Sequence, residues 1–118
     1  MRRVAILLNR NAQRVTPELV TRLARALPDV DQLATSTLEE AREAARAIVR
    51  RGYEAVCVGG GDGTFIRAAA DLLDCARGAL PAMVPLRLGS GNAIADVCGA
   101  GAQSLRGVVS DVELAQHG

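Results

Sequence analysis

Val4 to Leu8 is a continuous apolar run that ends abruptly in the polar Asn9-Arg10-Asn11. Runs of this kind suit a strand buried on both faces, as in a parallel sheet. Three more such segments follow. Val30 to Ala34 is a weaker one, Ala55 to Val58 a strong one, and Met83 to Leu88 is interrupted by Pro85 and the polar Arg87. Between them apolar positions recur at helical spacing. Thr16-Pro17 reads as an N-cap and first-turn pair ahead of Leu19, Val20, Leu23, Ala26 and Leu27, and Pro28-Asp29 stops that helix. Thr37-Leu38-Glu39-Glu40 reads as a capping box. It opens a stripe of Leu38, Ala41, Ala45, Ile48 and Val49 opposite Arg42, Glu43, Arg46 and Arg50, and Gly52 is its C-cap. Thr64 to Leu73 and Ala93 to Cys98 read as further helices. Gly99 to Gly101 is a turn, 103–109 a short helix or turn, and Val112-Glu113-Leu114 the start of another strand.

The resulting order, β-α-β-α-β-α-β-α, predicts an α/β fold: a three-layer, Rossmann-like domain with a parallel sheet, helices on both faces and right-handed crossovers. In such sheets ligands bind outside the carboxyl ends of the strands. Asn9–Asn11, the region around Thr35–Thr37, Gly59–Thr64 and Gly89–Asn92 all fall there. With 118 residues the chain suffices for one domain with one core.

Composition narrows the chemistry. The formal net charge is +1, which selects neither a nucleic-acid nor a membrane partner by field alone. All 14 basic residues are arginine, so a lysine-dependent phosphate loop is excluded. The three cysteines (Cys57, Cys75, Cys98) lack metal-ligand spacing, and the only histidine is His117. These features argue for reduced thiols and a cytoplasmic protein. The opening apolar run is too short for a signal-peptide core or a membrane span.

Two glycine loops carry the candidate chemistry: Gly59-Gly60-Gly61-Asp62-Gly63-Thr64 and Gly89-Ser90-Gly91-Asn92. Each joins a strand to a helix, the arrangement that brings backbone N–H groups and a helix N-terminus up to a phosphate. An ordinary strand–helix turn would explain either loop alone. Three successive glycines are entropically costly, however, and two such loops in one short α/β pattern point to nucleotide phosphates. Asp62 would repel phosphate unless it holds a divalent cation or accepts a proton from an attacking hydroxyl. Thr64 can cap the following helix or hydrogen-bond a phosphate, Asn9 can touch base or ribose, and Arg10 can touch phosphate. A dinucleotide-binding fingerprint would place its glycines after the first strand, where this chain has Asn-Arg-Asn.

With both loops placed, the sequence resembles the diacylglycerol kinase catalytic-domain family of lipid, sphingosine and ceramide kinases. The resemblance lies in Val56-Cys57-Val58-Gly59-Gly60-Gly61-Asp62-Gly63-Thr64 and in Pro85-Leu86-Arg87-Leu88-Gly89-Ser90-Gly91-Asn92-Ala93-Ile94-Ala95. It implies ATP and Mg²⁺ as cofactors and transfer of the γ-phosphate to a lipid hydroxyl at a membrane surface. Asp62 would then be catalytic and a metal ligand. The nucleotide contacts would be Asn9, Arg10, Thr37 (or Thr35), Gly59, Gly60, Gly61, Gly63, Thr64, Gly89, Ser90, Gly91 and Asn92. Residues 1–118 would form a single nucleotide-binding kinase domain, peripheral to a membrane, with the family's C-terminal β-rich domain absent and self-association open to it. The chain departs from the family pattern at Asn9-Arg10-Asn11-Ala12-Gln13, where the family has Asn-Pro-x-(Ser/Ala/Gly)-Gly. It departs again at Ile66-Arg67, where the family has Asn-Glu or His-Glu. Two alternatives stay open: a degenerate nucleotide-binding or oligomerisation module without catalysis, and a kinase of NAD or another small alcohol.

Overall fold

A computed structural model describes residues 1–76, 78, 80–89, 92–100 and 104–118. The elements run β1 (Val4–Asn9), α1 (Pro17–Ala26), β2 (Asp31–Thr35), α2 (Leu38–Arg51), β3 (Ala55–Gly60), α3 (Asp62–Cys75), β4 (Ala82–Arg87), α4 (Ala93–Val97) and α5 (Leu105–His117). The four strands form one all-parallel sheet in the order β2-β1-β3-β4.

That order follows from the crossovers. The chain leaves β1 in one direction to make β2, then passes back over β1 to make β3 and β4. Right-handed crossovers in opposite directions must place their helices on opposite faces. The two apolar layers obey this. Val4, Ile6 and Leu8 of β1 pack with Leu23 of α1 and with Val108, Val112 and Ala115 of α5. Ala5 and Leu7 point the other way, into Ala44, Ala45 and Ile48 of α2 and Ala68 and Leu72 of α3. The strand alternation thus feeds two cores, and the architecture is three layers of α/β/α. Each fully buried leucine or isoleucine in them contributes about 1.5–3 kcal/mol.

The helix ends carry the expected caps. Thr16 Oγ1 accepts from the Leu19 N–H at 3.1 Å, with Pro17 in the first turn. Thr37 Oγ1 accepts from the Glu40 N–H at 3.0 Å. Glu40 reaches back one residue further than a standard capping box, taking the Ser36 N–H at 2.6 Å. Gly52 closes α2 in the left-handed region at φ 70°. The stripe of α2 sits slightly off the predicted one: Ala44 and Ala47 are buried, whereas Leu38 is exposed.

Two expectations are corrected. Val112–Leu114 does not begin a strand; it lies inside α5, whose buried Val108, Val112 and Ala115 follow helical spacing. Thr64 does not cap α3, which starts two residues earlier with Gly61 at the cap position. Residues 101 and 103 of the predicted turn and last helix lie outside the described residues. No described helix is long and apolar enough to cross a membrane.

Candidate functional site

The direction of connection reverses between β1 and β3, and an α/β sheet opens its ligand crevice at such a switch point. Asn9 ends β1 alongside Thr35 at the end of β2. Gly59 and Gly60 end β3, with Gly60 paired to Arg87 at the end of β4. Four polar or glycine-rich strand ends therefore converge on one edge of the sheet.

Asn9 ties that edge together. Its Nδ2 donates to Thr64 Oγ1 at 3.0 Å, and its Oδ1 accepts from the Asn11 N–H at 2.9 Å. Asn11 Nδ2 in turn donates to the Ser36 carbonyl at 2.6 Å, and the Arg10 N–H donates to the Thr35 carbonyl at 2.8 Å. The β1 end is thereby fixed both to the first turn of α3 and to the β2–α2 corner.

A cleft of 320 Å³ opens between α2 and α3 above these strand ends. Asn9, Asn11, Thr35, Ser36 and Thr37 line it from the sheet edge and the β2–α2 corner; Leu38 and Ala41 come from α2. Gly63, Thr64, Arg67, Ala68 and Asp71 line it from α3. A second hollow of 540 Å³ adjoins it, lined by Asn11, Ala12, Gln13, Gly61, Gly63, Thr64 and Gly89. Gly63 and Thr64, in the first turn of α3, border both. No described side chain hydrogen-bonds the cap of α3. The positive end of this helix thus faces the junction of two hollows, which is the setting for an anion.

The two glycine loops touch. A Cβ placed on Gly89 would stand 2.2 Å from Gly61 Cα and 2.3 Å from Gly61 N. Asn92 closes its own loop, accepting from the Gly89 N–H at 3.2 Å and donating to the Gly89 carbonyl at 2.8 Å. Asp62 ties the first loop to the helix that follows the second: its Oδ1 accepts from the Ile94 N–H in α4 at 2.9 Å. Asn92 makes no side-chain cap for α4, and Asp62 serves α4 from across the site instead. Arg87 pairs with Asp96 and donates from Nη2 to the Ala100 carbonyl at 3.2 Å, fastening α4 to the end of β4.

Among the expected residues, Asn9, Thr37, Gly63 and Thr64 share the cleft, and Gly61, Gly63, Thr64 and Gly89 share the neighbouring hollow. Thr35 and Thr37 both line the cleft. Thr35 is buried with its hydroxyl toward the Leu8 carbonyl, while Thr37 caps α2. Gly59 and Gly60 form the end of β3 behind the loop. Arg10 is not brought to the cleft; it borders a separate hollow beside Val15, Pro17, Val20 and Thr21 of the α1 side. Ser90 and Gly91 lie outside the described residues.

Asp71 was not foreseen. Its signal is nevertheless in the sequence: it is a carboxylate on the stripe 68, 71, 72, 75, the spacing that defines the inward face of α3. Metal ligation has to be built from few groups. Among the described residues no three His, Cys, Asp or Glu side chains cluster. Asp62 is a carboxylate at the loop junction and could hold a divalent cation there.

No curated protein matches the chain. A crystal structure of a diacylglycerol kinase from Bacillus anthracis str. Sterne is 21% identical and superposes with a TM-score of 0.72, over 95% of this chain and 42% of that one. Two further structures from the same organism align with the same identity and coverage, at TM-scores of 0.72 and 0.73. The fold is therefore shared, and the chain spans 42% of the length of those proteins. The model of the diacylglycerol kinase catalytic domain matches residues 3–116, and the chain belongs to that family.

Proposed function

We propose that this chain is the ATP-binding domain of a lipid kinase, in which the γ-phosphate passes to a lipid hydroxyl. The supporting observation is the junction itself: the uncapped first turn of α3, two glycine loops in backbone contact, and Asp62 tying the first loop to the helix that follows the second. In this reading the nucleoside occupies the cleft between α2 and α3. The phosphate chain crosses the N-terminus of α3 at Gly63 and Thr64 into the adjoining hollow. Backbone N–H groups and the helix dipole stabilise its charge there without any lysine.

Asp62 stands where the terminal phosphate would emerge. The acceptor hydroxyl oxygen forms the new bond to phosphorus, the bond to the β-phosphate oxygen breaks, and the hydroxyl proton passes to the Asp62 carboxylate. A Mg²⁺ arriving with the nucleotide would be held by Asp62 and would neutralise phosphate charge. The hydrogen bond from Ile94 fixes the Asp62 side chain so that little reorganisation is needed when substrate arrives. The acceptor lipid and its docking at a membrane surface belong to the whole protein, and we propose them on the strength of the family.

The test is titration calorimetry of the chain with a non-hydrolysable ATP analogue, with and without Mg²⁺, on the parent and on Asp62→Asn. Asparagine keeps an oxygen for the Ile94 N–H and removes the charge. Binding that needs Mg²⁺ and weakens at least about tenfold in the variant, about 1.4 kcal/mol, is the expected result. Absence of binding to the folded parent would overturn the reading and favour a module without catalysis.

A further inference from the structure

We infer that Asp71 selects the base of the bound nucleotide, by accepting a hydrogen bond from the exocyclic amino group of adenine; this rests on the nucleotide reading above. Asp71 is 8% exposed, and its Oδ2 is buried with no hydrogen-bond partner among the described residues. It nevertheless lines the cleft rather than the closed core. A buried carboxylate without a donor is costly to maintain, so a side chain held in that condition at the wall of a ligand-sized cleft marks where a donor is missing.

The position fits a base. Asp71 lies seven residues beyond Thr64 on α3, about 10 Å along the helix at roughly 1.5 Å per residue. With phosphates at the first turn, the intervening turn at Arg67 and Ala68 flanks the ribose, and Asp71 stands at the depth of the base. The wall near it is apolar where a flat ring would lie, with Leu7 from β1, Ala41 from α2 and Ala68 from α3. Aliphatic surface to hold the ring and one polar group to orient it is the common build of a small-molecule site.

The chemistry then discriminates. An ionised carboxylate only accepts. Adenine presents N–H donors at C6, whereas guanine and hypoxanthine present a carbonyl oxygen there. That oxygen would set lone pairs against Asp71, and the carboxylate could accept from the neighbouring N1–H only if the ring shifted in the cleft. Sites that hydrogen-bond a ligand group reject analogues lacking it far more strongly than apolar pockets do, because their own buried group is left unsatisfied.

The experiment measures dissociation constants of the chain for ATP, ITP, GTP and 2′-deoxy-ATP with Mg²⁺, for the parent and for Asp71→Asn, whose amide can face either a donor or an acceptor. In the parent, ATP should bind at least about tenfold tighter than ITP and GTP, about 1.4 kcal/mol. In Asp71→Asn that ratio should fall to about twofold, with the ratio of ATP to 2′-deoxy-ATP unchanged. Equal binding of all bases by the parent overturns the inference while leaving the nucleotide reading intact. Tighter binding of GTP than ATP, or discrimination that survives in Asp71→Asn, also overturns it. So does a change confined to 2′-deoxy-ATP, which would place Asp71 at the ribose. No binding of any nucleotide to folded parent overturns both readings. Should Asp71→Asn fail to fold, purine riboside triphosphate, which lacks the amino group, decides the matter on the parent alone: it must bind more weakly than ATP.

Discussion

Gly89→Ala and Gly63→Ala make a pair that separates what the glycine loops do for folding from what they do for a ligand. The methyl group in Gly89→Ala would meet Gly61 Cα at 2.2 Å, Gly61 N at 2.3 Å and the Gly60 carbonyl carbon at 2.8 Å. Carbon atoms in contact prefer about 3.5–4.0 Å, so the gap is short by more than about 1 Å. All three atoms are backbone, and two are in a loop already fixed by the Asp62–Ile94 hydrogen bond. No rotamer change can relieve the clash. Overpacking costs typically about 1–3 kcal/mol, and a clash that only backbone movement can absorb belongs at the top of that range. For a domain of this size about 3 kcal/mol lowers Tm by roughly 10–15 °C.

Gly63→Ala reverses the sign. Nothing described lies within 4 Å of the point where its methyl group would stand, and its φ is not positive. It sits in the first turn of α3, where alanine stabilises relative to glycine by up to about 0.5–1 kcal/mol. Yet the methyl group would project at a residue that borders both hollows. The expected result is a Tm equal to or a few degrees above the parent, with nucleotide affinity reduced at least about tenfold, about 1.4 kcal/mol. Thermal denaturation followed by circular dichroism, with calorimetric titration on the same samples, reads both quantities. The reasoning fails if Gly89→Ala melts within about 1 °C of the parent, a shift far below one for about 1 kcal/mol. It also fails if Gly63→Ala binds nucleotide as the parent does.

Two further outcomes follow from buried and capping groups. Burial, with the Asp111 charge adding to it, pushes the Cys57 thiol from 9.0 up to about 12. Burial and then the hydrogen bond to Asp31 raise Tyr53 in the same direction. Between about pH 9 and pH 12 the unfolded chain therefore releases protons that the native chain keeps, so this stability is complete below pH 9 and falls as pH rises. Urea midpoints at pH 8 and pH 10.5 should show the decline, smaller in Cys57→Ala; equal midpoints would contradict it. Thr37→Ala removes the hydroxyl that accepts from the Glu40 N–H. It should cost about 1 kcal/mol in chemical denaturation, within the roughly 0.5–2 kcal/mol span of such caps.

The sheet was legible because its strands are buried on both faces, so they appear as apolar runs ending in polar or glycine-rich residues. Val4–Asn9 and Ala55–Gly60 are the clearest cases, the first ending on Asn9, which lines the cleft. The caps of α1 and α2 were legible because Thr16-Pro17 and Thr37-x-x-Glu40 act locally. The last helix was less so. Gly107 and the β-branched pair Val108-Val109 lower its intrinsic propensity, and Val112-Glu113-Leu114 alternates like a strand. Packing of Val108, Val112 and Ala115 against β1 and β3 decides the outcome, and no local rule contains that contact. The same limit hid the cleft. Asn9, Thr64 and the β2–α2 corner could be placed at strand ends from sequence, but the Asn9–Thr64 hydrogen bond spans 55 residues. Arg10 shows the converse: it is adjacent to Asn9 in sequence, yet its side chain borders the α1 side of the sheet edge.

That divergence has a physical cause with consequences for the whole site. Successive residues leaving a strand alternate sides, and the reversal of direction at β1 gives its two sides different occupants, α1 and α5 on one and α2 and α3 on the other. Only groups directed to the α2–α3 side can share the cleft. In the proposed reading, phosphate charge at the junction is met mainly by backbone N–H groups and the α3 dipole. This makes the close approach of backbone indispensable. It accounts for glycine at Gly61 and Gly89, which must touch each other, and in the proposed reading for Gly63, which leaves room for the phosphates. Asp62 follows from the same arrangement. Its carboxylate restores a connection across a junction whose side chains have been given up, through the Ile94 N–H. One residue thereby ties the first loop to the helix that follows the second.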